Sequence, residues 1–222
     1  MSRLIILEGI DGSGKTTLAK ALCDKLNTQN MALFLDKKSI EASTAFQKRF
    51  MSQIRSILWE LKKTDPINEI DEETWLYLHM LWYHMLQEYV IKHQMILYDY
   101  IVMDGWYFKF LARHIANDKI APELAYSLFS RLIQGNLVVL LNVPPEICIK
   151  RKEKIKPSEC GIHRDTIKDS MEKSFCNYQQ KVFDAYRILS GKYHFTNIDA
   201  SGTIEKSLEQ VIKAINEYFV LN

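Results

Sequence analysis

The chain has 222 residues, 47% of them hydrophobic and 25% charged, and 29 Lys and Arg against 27 Asp and Glu leave a formal charge of +2. That length suits one large domain. A charge this close to zero cannot build the field of a polybasic nucleic-acid binder or a membrane-surface protein, and the composition is not that of an acidic disordered chain.

In chain order, Leu4–Glu8 (LIILE) reads as a buried strand, followed by a glycine-bearing turn and a helix from about Lys15 to Asn27. Met31–Asp36 is a second strand. Helical spacing covers Glu41–Lys63 and Asp71–Lys92, with Asp65-Pro66 as the break between them. Tyr100–Asp104 and Leu137–Val143 are again continuous apolar runs. Thr166–Leu189 is helical, Tyr193–Asp199 a last strand, and Thr203–Phe219 a terminal helix. Apolar strands alternating with helices predict an α/β fold with a parallel sheet, in which ligands bind beyond the carboxyl ends of the strands. One domain spanning 1–222 is expected, because no linker, repeat or low-complexity tract divides the chain. Four scattered cysteines (Cys23, Cys148, Cys160, Cys176) without a C-x-x-C pair, and no secretory or membrane-spanning run, point to the cytoplasm and to no membrane or nucleic-acid partner.

Glycine is scarce, yet three of the eight glycines fall in Gly9-Ile10-Asp11-Gly12-Ser13-Gly14-Lys15-Thr16. This is G-x-x-x-x-G-K-[ST], placed after a strand and before a helix. Consecutive backbone N–H groups there form an anion-binding nest, and the first turn of the helix adds its free donors and positive dipole end. Gly9, Asp11, Gly12, Ser13, Gly14, Lys15, Thr16 and Thr17 are the expected ATP-binding residues. Lys15 reaches the β- and γ-phosphates and Thr16 ligates Mg²⁺.

Asp104 ends an apolar strand, where a carboxylate either holds Mg²⁺ or the acceptor, or caps the stretch that follows. Asp11 either faces the bound phosphates or stabilises its turn. Between Lys150 and Arg164 lie Lys150, Arg151, Lys152, Lys154, Lys156 and Arg164 against Glu153 and Glu159. Such a run is either a solvated helix end or a basic loop that closes on phosphate. Trp75, Leu78 and Trp82 lie on one helical face, which favours core, while Tyr77, Trp82 and Tyr83 are candidates to stack on an acceptor base. The run Gly105-Trp106-Tyr107-Phe108-Lys109-Phe110 carries the same ambiguity.

The stretch LIILEGIDGSGKTTLAKAL closely resembles the thymidylate kinase family. Val102-Met103-Asp104 stands where that family has its strand-end D-R-[YWH] motif. Leu141-Asn142-Val143-Pro144-Pro145-Glu146 is similar to its L-D-V-x-P-E, and Asn197-Ile198-Asp199-Ala200-Ser201 to its closing I-D-A-S. The resemblance spans essentially the whole chain. It implies a P-loop kinase fold, with a five-stranded parallel sheet flanked by helices and a mobile lid, here at about residues 150–165. It also implies phosphoryl transfer from ATP with Mg²⁺ to a small nucleotide, and commonly a homodimer. Lys15, Asp104, Arg151 and Arg164 are the expected catalytic residues and Thr16 and Asp104 the metal ligands.

The departures concern the acceptor. The family's arginine after the strand-end aspartate is Gly105 here, its R-E-P-G is Asp36-Lys37-Lys38-Ser39, and its middle-helix arginine is Trp82. Asp11, Lys37, Tyr77, Trp82, Gly105, Trp106, Lys109 and Arg113 are the expected acceptor-binding set. Arginine and lysine are not equivalent towards phosphate. The acceptor is accordingly dTMP or a related or modified pyrimidine monophosphate, with a nucleoside kinase or a non-catalytic nucleotide-binding relative as alternatives. A nucleotide-switch protein would carry N-K-x-D, and none is present.

Overall fold

A computed structural model describes residues 2–62, 65, 69–161 and 170–221. Five strands, β1 (Arg3–Glu8), β2 (Ala32–Leu35), β3 (Tyr100–Met103), β4 (Leu137–Asn142) and β5 (Thr196–Asp199), form one sheet in the order β2-β3-β1-β4-β5. Every pairing is parallel. The five-stranded parallel sheet flanked by helices is therefore as expected. Leu4 to Leu7 of β1 and Val139 to Leu141 of β4 are buried, as strands covered on both faces must be. Ile6 pairs with Met103, so the residues leaving β1 and β3, Gly9 and Asp104, emerge side by side.

Helix α1 (Lys15–Leu26) follows β1, and α9 (Ile204–Leu221) packs against it. Helices α2 (Ala45–Trp59) and α3 (Glu72–Leu86) form a neighbouring pair. Thr44 caps α2 with a capping box closed by Gln47, which starts that helix four residues later than the spacing suggested. Past α3 a π-helical turn, Gln87–Ile91, leads into α4 (Lys92–Leu97), so the helical stretch outruns its expected end at Lys92. Three helices stand where none was expected: α5 (Tyr107–Asn117), α6 (Pro122–Phe129) and α7 (Pro145–Lys150). The aromatic start of α5 has strand-like composition, and tertiary packing overrides it. Helix α8 (Met171–Tyr193) runs on to His194, whose φ of 54° ends it, so the last strand begins at Thr196 rather than Tyr193. The expected break at Pro66, the helix start at Thr166 and the lid arginine Arg164 lie outside the described residues. No helix of the described residues is long and apolar enough to cross a membrane.

Candidate active site

The loop from Gly9 to Gly14 leaves β1 and delivers Lys15 as the first residue of α1. Gly12 has φ +85°, and a Cβ there would lie 2.6 Å from the Cys148 carbonyl oxygen, so α7 backs the loop closely enough to require glycine. The buried Lys15 ammonium donates to the carbonyls of Gly9 at 2.8 Å and Ile10 at 2.6 Å and to Ser13 Oγ at 3.3 Å. Burial lowers its pKa, against the opposing charge of Asp11. Thr16 Oγ1 donates to Asp104 Oδ2 at 2.5 Å, and Asp104 is 7% exposed. Its other oxygen, Oδ1, is buried without a hydrogen-bond partner among the described residues. Thr17 is exposed on the same turn.

Asp11 is the hub of this loop. Its carboxylate accepts from Lys109 Nζ at 2.5 Å and from Arg113 at 2.6 Å, both on α5. The Asp11 backbone N–H donates to Gln179 Oε1 at 3.0 Å, and Gln179 Nε2 returns a bond to the carboxylate at 3.3 Å and another to the Glu159 carbonyl at 2.7 Å. Burial alone would raise the Asp11 pKa; the charges of Lys109 and Arg113 outweigh it and hold the carboxyl well below the usual range. Two cations thus share one carboxylate, and the surplus falls on the lysine. Burial, together with Arg113, Lys37 and Lys15, brings Lys109 down to about 7 in spite of Asp11.

Glu8, at 0% exposure, closes the strand next to this cluster. Its carboxylate accepts from the Trp106 backbone N–H at 2.6 Å and from the Tyr186 hydroxyl at 2.7 Å, while burial raises its pKa. Beside it, Gly105 takes φ +116°. The Lys37 ammonium donates to the Asp104 carbonyl at 3.4 Å and lies 3.2 Å from where a Cβ on Gly105 would sit.

The structure therefore gathers Gly9 to Thr16, Asp104, Asp11, Lys109, Arg113, Lys37 and Gly105 around the ends of β1 and β3. Other expected site residues sit differently. Trp82 and Trp106 are both at 0% exposure, in the packing role that was the alternative to stacking. The Trp82 indole donates to the Lys37 carbonyl and that of Trp106 to the Ile133 carbonyl, each at 2.9 Å. Tyr77 is 47% exposed on α3 and bonds to Glu73. Arg151, at the end of α7, holds the carbonyls of Ala200 and Ser201 at 2.9 Å each and reaches the Ser13 carbonyl at 3.5 Å, tying the loop to the turn after β5. Glu8, Gln179 and Tyr186 were not among the expected residues. A charged residue inside LIILE was a readable sign for Glu8; the two on α8 had none.

A family model described as Thymidylate kinase matches residues 7–211. A probable thymidylate kinase 1 of Saccharolobus solfataricus is 29% identical, the match covering 98% of this chain and 98% of the relative. Thymidylate kinases of Ligilactobacillus salivarius and Plasmodium falciparum are 24% and 23% identical, each over 97% of this chain and over 98% and 90% of their own length. A parallel sheet with a phosphate loop at its centre, matched in order along nearly its whole length, places this chain in the thymidylate kinase family, a family of nucleoside monophosphate kinases.

Proposed function

We propose that the chain, as one P-loop kinase domain with a lid within residues 150–165, transfers the terminal phosphate of ATP to dTMP or a closely related pyrimidine nucleoside monophosphate. The observation that carries this reading is the juxtaposition at the ends of β1 and β3. There the Lys15 ammonium is wrapped in loop carbonyls, and Thr16 and Asp104 share a hydrogen bond at 2.5 Å.

The residues fit a magnesium ion. A hydroxyl and a carboxylate are hard oxygen donors, and Asp104 Oδ1 is a buried acceptor with no partner among the described residues. Mg²⁺ is held by one or two protein ligands and by substrate phosphates, and Thr16 with Asp104 supplies that number. Thr16 and Asp104 would hold it, and bound there it would neutralise charge on the β- and γ-phosphates.

The chain's own groups supply the rest. Backbone N–H groups from Gly9 to Thr16, with Ser13 and Thr17, cradle the donor phosphates. Lys15 leaves its carbonyl partners to meet the transferring group, and Arg151 and Arg164 add positive charge from the lid side. On the opposite side Lys37, Lys109 and Arg113, with Asp11 and the open backbone at Gly105, face the acceptor. The same reading places the protein in the cytoplasm, acting on small nucleotides as a homodimer. Exposed apolar side chains, Phe46 and Phe50 on α2 and Tyr77 and Leu81 on α3, support the dimer, and light scattering at micromolar concentration tests it.

A coupled ADP-release assay with Mg-ATP over nucleosides and nucleoside monophosphates tests the activity. Turnover with dTMP or another pyrimidine monophosphate is expected. Absence of ADP release with every monophosphate, or turnover with nucleosides alone, overturns the reading.

A further inference from the structure

We infer that Gln179 is a positioning residue for phosphoryl transfer: its buried amide joins the lid to the phosphate loop, and by seating the one on the other it keeps water from the transferring phosphate. This rests on the kinase reading above and deepens it, because it names the group that ties lid to loop and adds no substrate contact.

Gln179 lies on α8 at 0% exposure. A side-chain amide offers one carbonyl oxygen and two N–H donors, and here each is used. Oε1 accepts the Asp11 backbone N–H at 3.0 Å, while Nε2 donates to the Glu159 carbonyl at 2.7 Å and to Asp11 Oδ2 at 3.3 Å. The amide cannot be turned over. A flip would set N–H against N–H at Asp11 and oxygen against oxygen at Glu159. Buried and with both donors committed, Gln179 touches no substrate. What it holds is backbone of the loop on one side and backbone of the lid on the other, 168 and 20 positions away in sequence.

The lid end of this link is a folded turn. Glu159, 8% exposed, ends the short 3₁₀ turn Pro157–Glu159. Its carboxylate accepts Lys152 Nζ at 3.0 Å and the Lys156 N–H at 2.9 Å. The side chain thus gathers the basic stretch of the lid while the carbonyl of the same residue docks on α8. Two residues on, Gly161 takes φ +71°, and a Cβ there would lie 2.5 Å from Tyr178 Cδ2, so the lid backbone lies directly on the ring next to Gln179. Arg151 makes the other bond from this segment to the loop, at 3.5 Å to the Ser13 carbonyl, the outer limit of hydrogen bonding. The short tie is the one through Gln179. A lid seated in this way shields the loop from water, the competing acceptor. Attack of water on the terminal phosphorus breaks its bond to ADP and yields ADP, inorganic phosphate and a proton.

The test measures ADP release from Mg-ATP by the full chain, first with dTMP or the best pyrimidine monophosphate of the panel, then with no acceptor. It compares the wild type with Gln179→Met, Glu159→Ala and the double variant. The readout is the ratio of the acceptor-driven to the acceptor-free rate. A variant that is merely less folded loses both rates alike and keeps the ratio. Gln179→Met lowers the ratio about 3–10-fold, the scale of one neutral hydrogen bond. Glu159→Ala undoes the lid turn from the other side and lowers it in the same direction. The double variant matches Gln179→Met, because both changes break one link. Should Gln179→Met fail to fold, Gln179→Glu keeps an acceptor for the Asp11 N–H, loses both donors and lowers the ratio likewise. An unchanged ratio in a folded Gln179 variant, or losses that multiply in the double variant, overturns the inference while the kinase reading stands. A wild-type chain that releases no ADP with any monophosphate overturns the kinase reading itself.

Discussion

The Thr16 hydroxyl donates to Asp104 Oδ2 at 2.5 Å, bridging 88 positions of sequence between the first turn of α1 and the end of β3. The bond sets a neutral and an anionic oxygen side by side, with Asp104 Oδ1 still without a partner among the described residues. Asp104→Asn keeps the shape and removes the charge. The Mg²⁺ concentration for half-maximal ADP release should rise about 10–100-fold, the scale for losing a group that orients a bound metal. Chelation by EDTA should abolish turnover in the wild type. A magnesium titration that superimposes on the wild type would exclude Asp104 from the metal site.

Lys15 is held by the carbonyls of Gly9 and Ile10, inside the loop whose N–H groups would bind phosphate. Lys15→Ala should lower turnover by roughly 10²–10³, the loss seen for one preorganised charge-stabilising contact. Its melting curve should stay close to that of the wild type, since burial lowers the lysine's pKa and so works against the charged form. Full activity in a folded Lys15→Ala protein would rule out this role.

Lys109 brings a pH dependence whose sign follows from its surroundings. Burial lowers it to about 7; Asp11 opposes the shift, and Arg113 on its own helix, with Lys37 and Lys15 facing it, reinforces it. An unfolded lysine titrates near 10.4. Between about pH 7 and that value the unfolded chain binds a proton that the fold does not, so stability contributed by this group rises with pH across the window. The Tm difference between wild type and Lys109→Met should therefore shift in favour of the wild type from pH 7 to pH 9. A dianionic acceptor phosphate should restore the proton, giving proton uptake at pH 8 in calorimetric titrations run in buffers of different ionisation heat. A constant Tm difference over that range would contradict the shifted lysine.

The phosphate loop was legible because its chemistry is local: glycines, lysine and threonine at fixed spacing between a strand and a helix need no distant partner. The sheet was legible for the same reason, each strand being a short run of apolar residues. The partners of the loop were not. Gln179 meets Asp11 from 168 positions away, and Tyr186 meets Glu8 from 178. On an amphipathic helix such as α8, one amide and one tyrosine look like any half-buried pair. Trp82 shows the limit most clearly. Its place on a helical face with Trp75 signals burial, but its indole bond ends on the Lys37 backbone carbonyl, and backbone acceptors leave no trace in sequence. Helix α5 was obscured by its own aromatic start, although it carries both cations that hold Asp11.

Asp11 gives the sharpest stability prediction. It pairs with Lys109 and Arg113 at 2.5 and 2.6 Å, and its side chain is 12% exposed. Asp11→Asn leaves the Arg113 guanidinium buried against a neutral amide, while Lys109, held at about 7 even with Asp11 beside it, sheds its proton; removing one partner of a buried ion pair costs about 3–5 kcal/mol. For a chain of this size that corresponds to a Tm lower by about 10 °C, measurable by differential scanning calorimetry. Adding Lys109→Met then takes away a group that has already lost its partner, so the double variant should lose less than the two single variants together, a non-additivity expected of residues in direct contact. The acid limb has a definite sign as well. Although burial opposes it, Lys109 and Arg113 hold the Asp11 pKa well below its ordinary value. Its contribution is thus fully present above the unfolded value near 3.9 and is lost as pH falls below it. The gap between wild type and Asp11→Asn should narrow below about pH 4. Losses that simply add in the double variant, or a gap that stays constant into acid, would remove Asp11 as the electrostatic centre of the site.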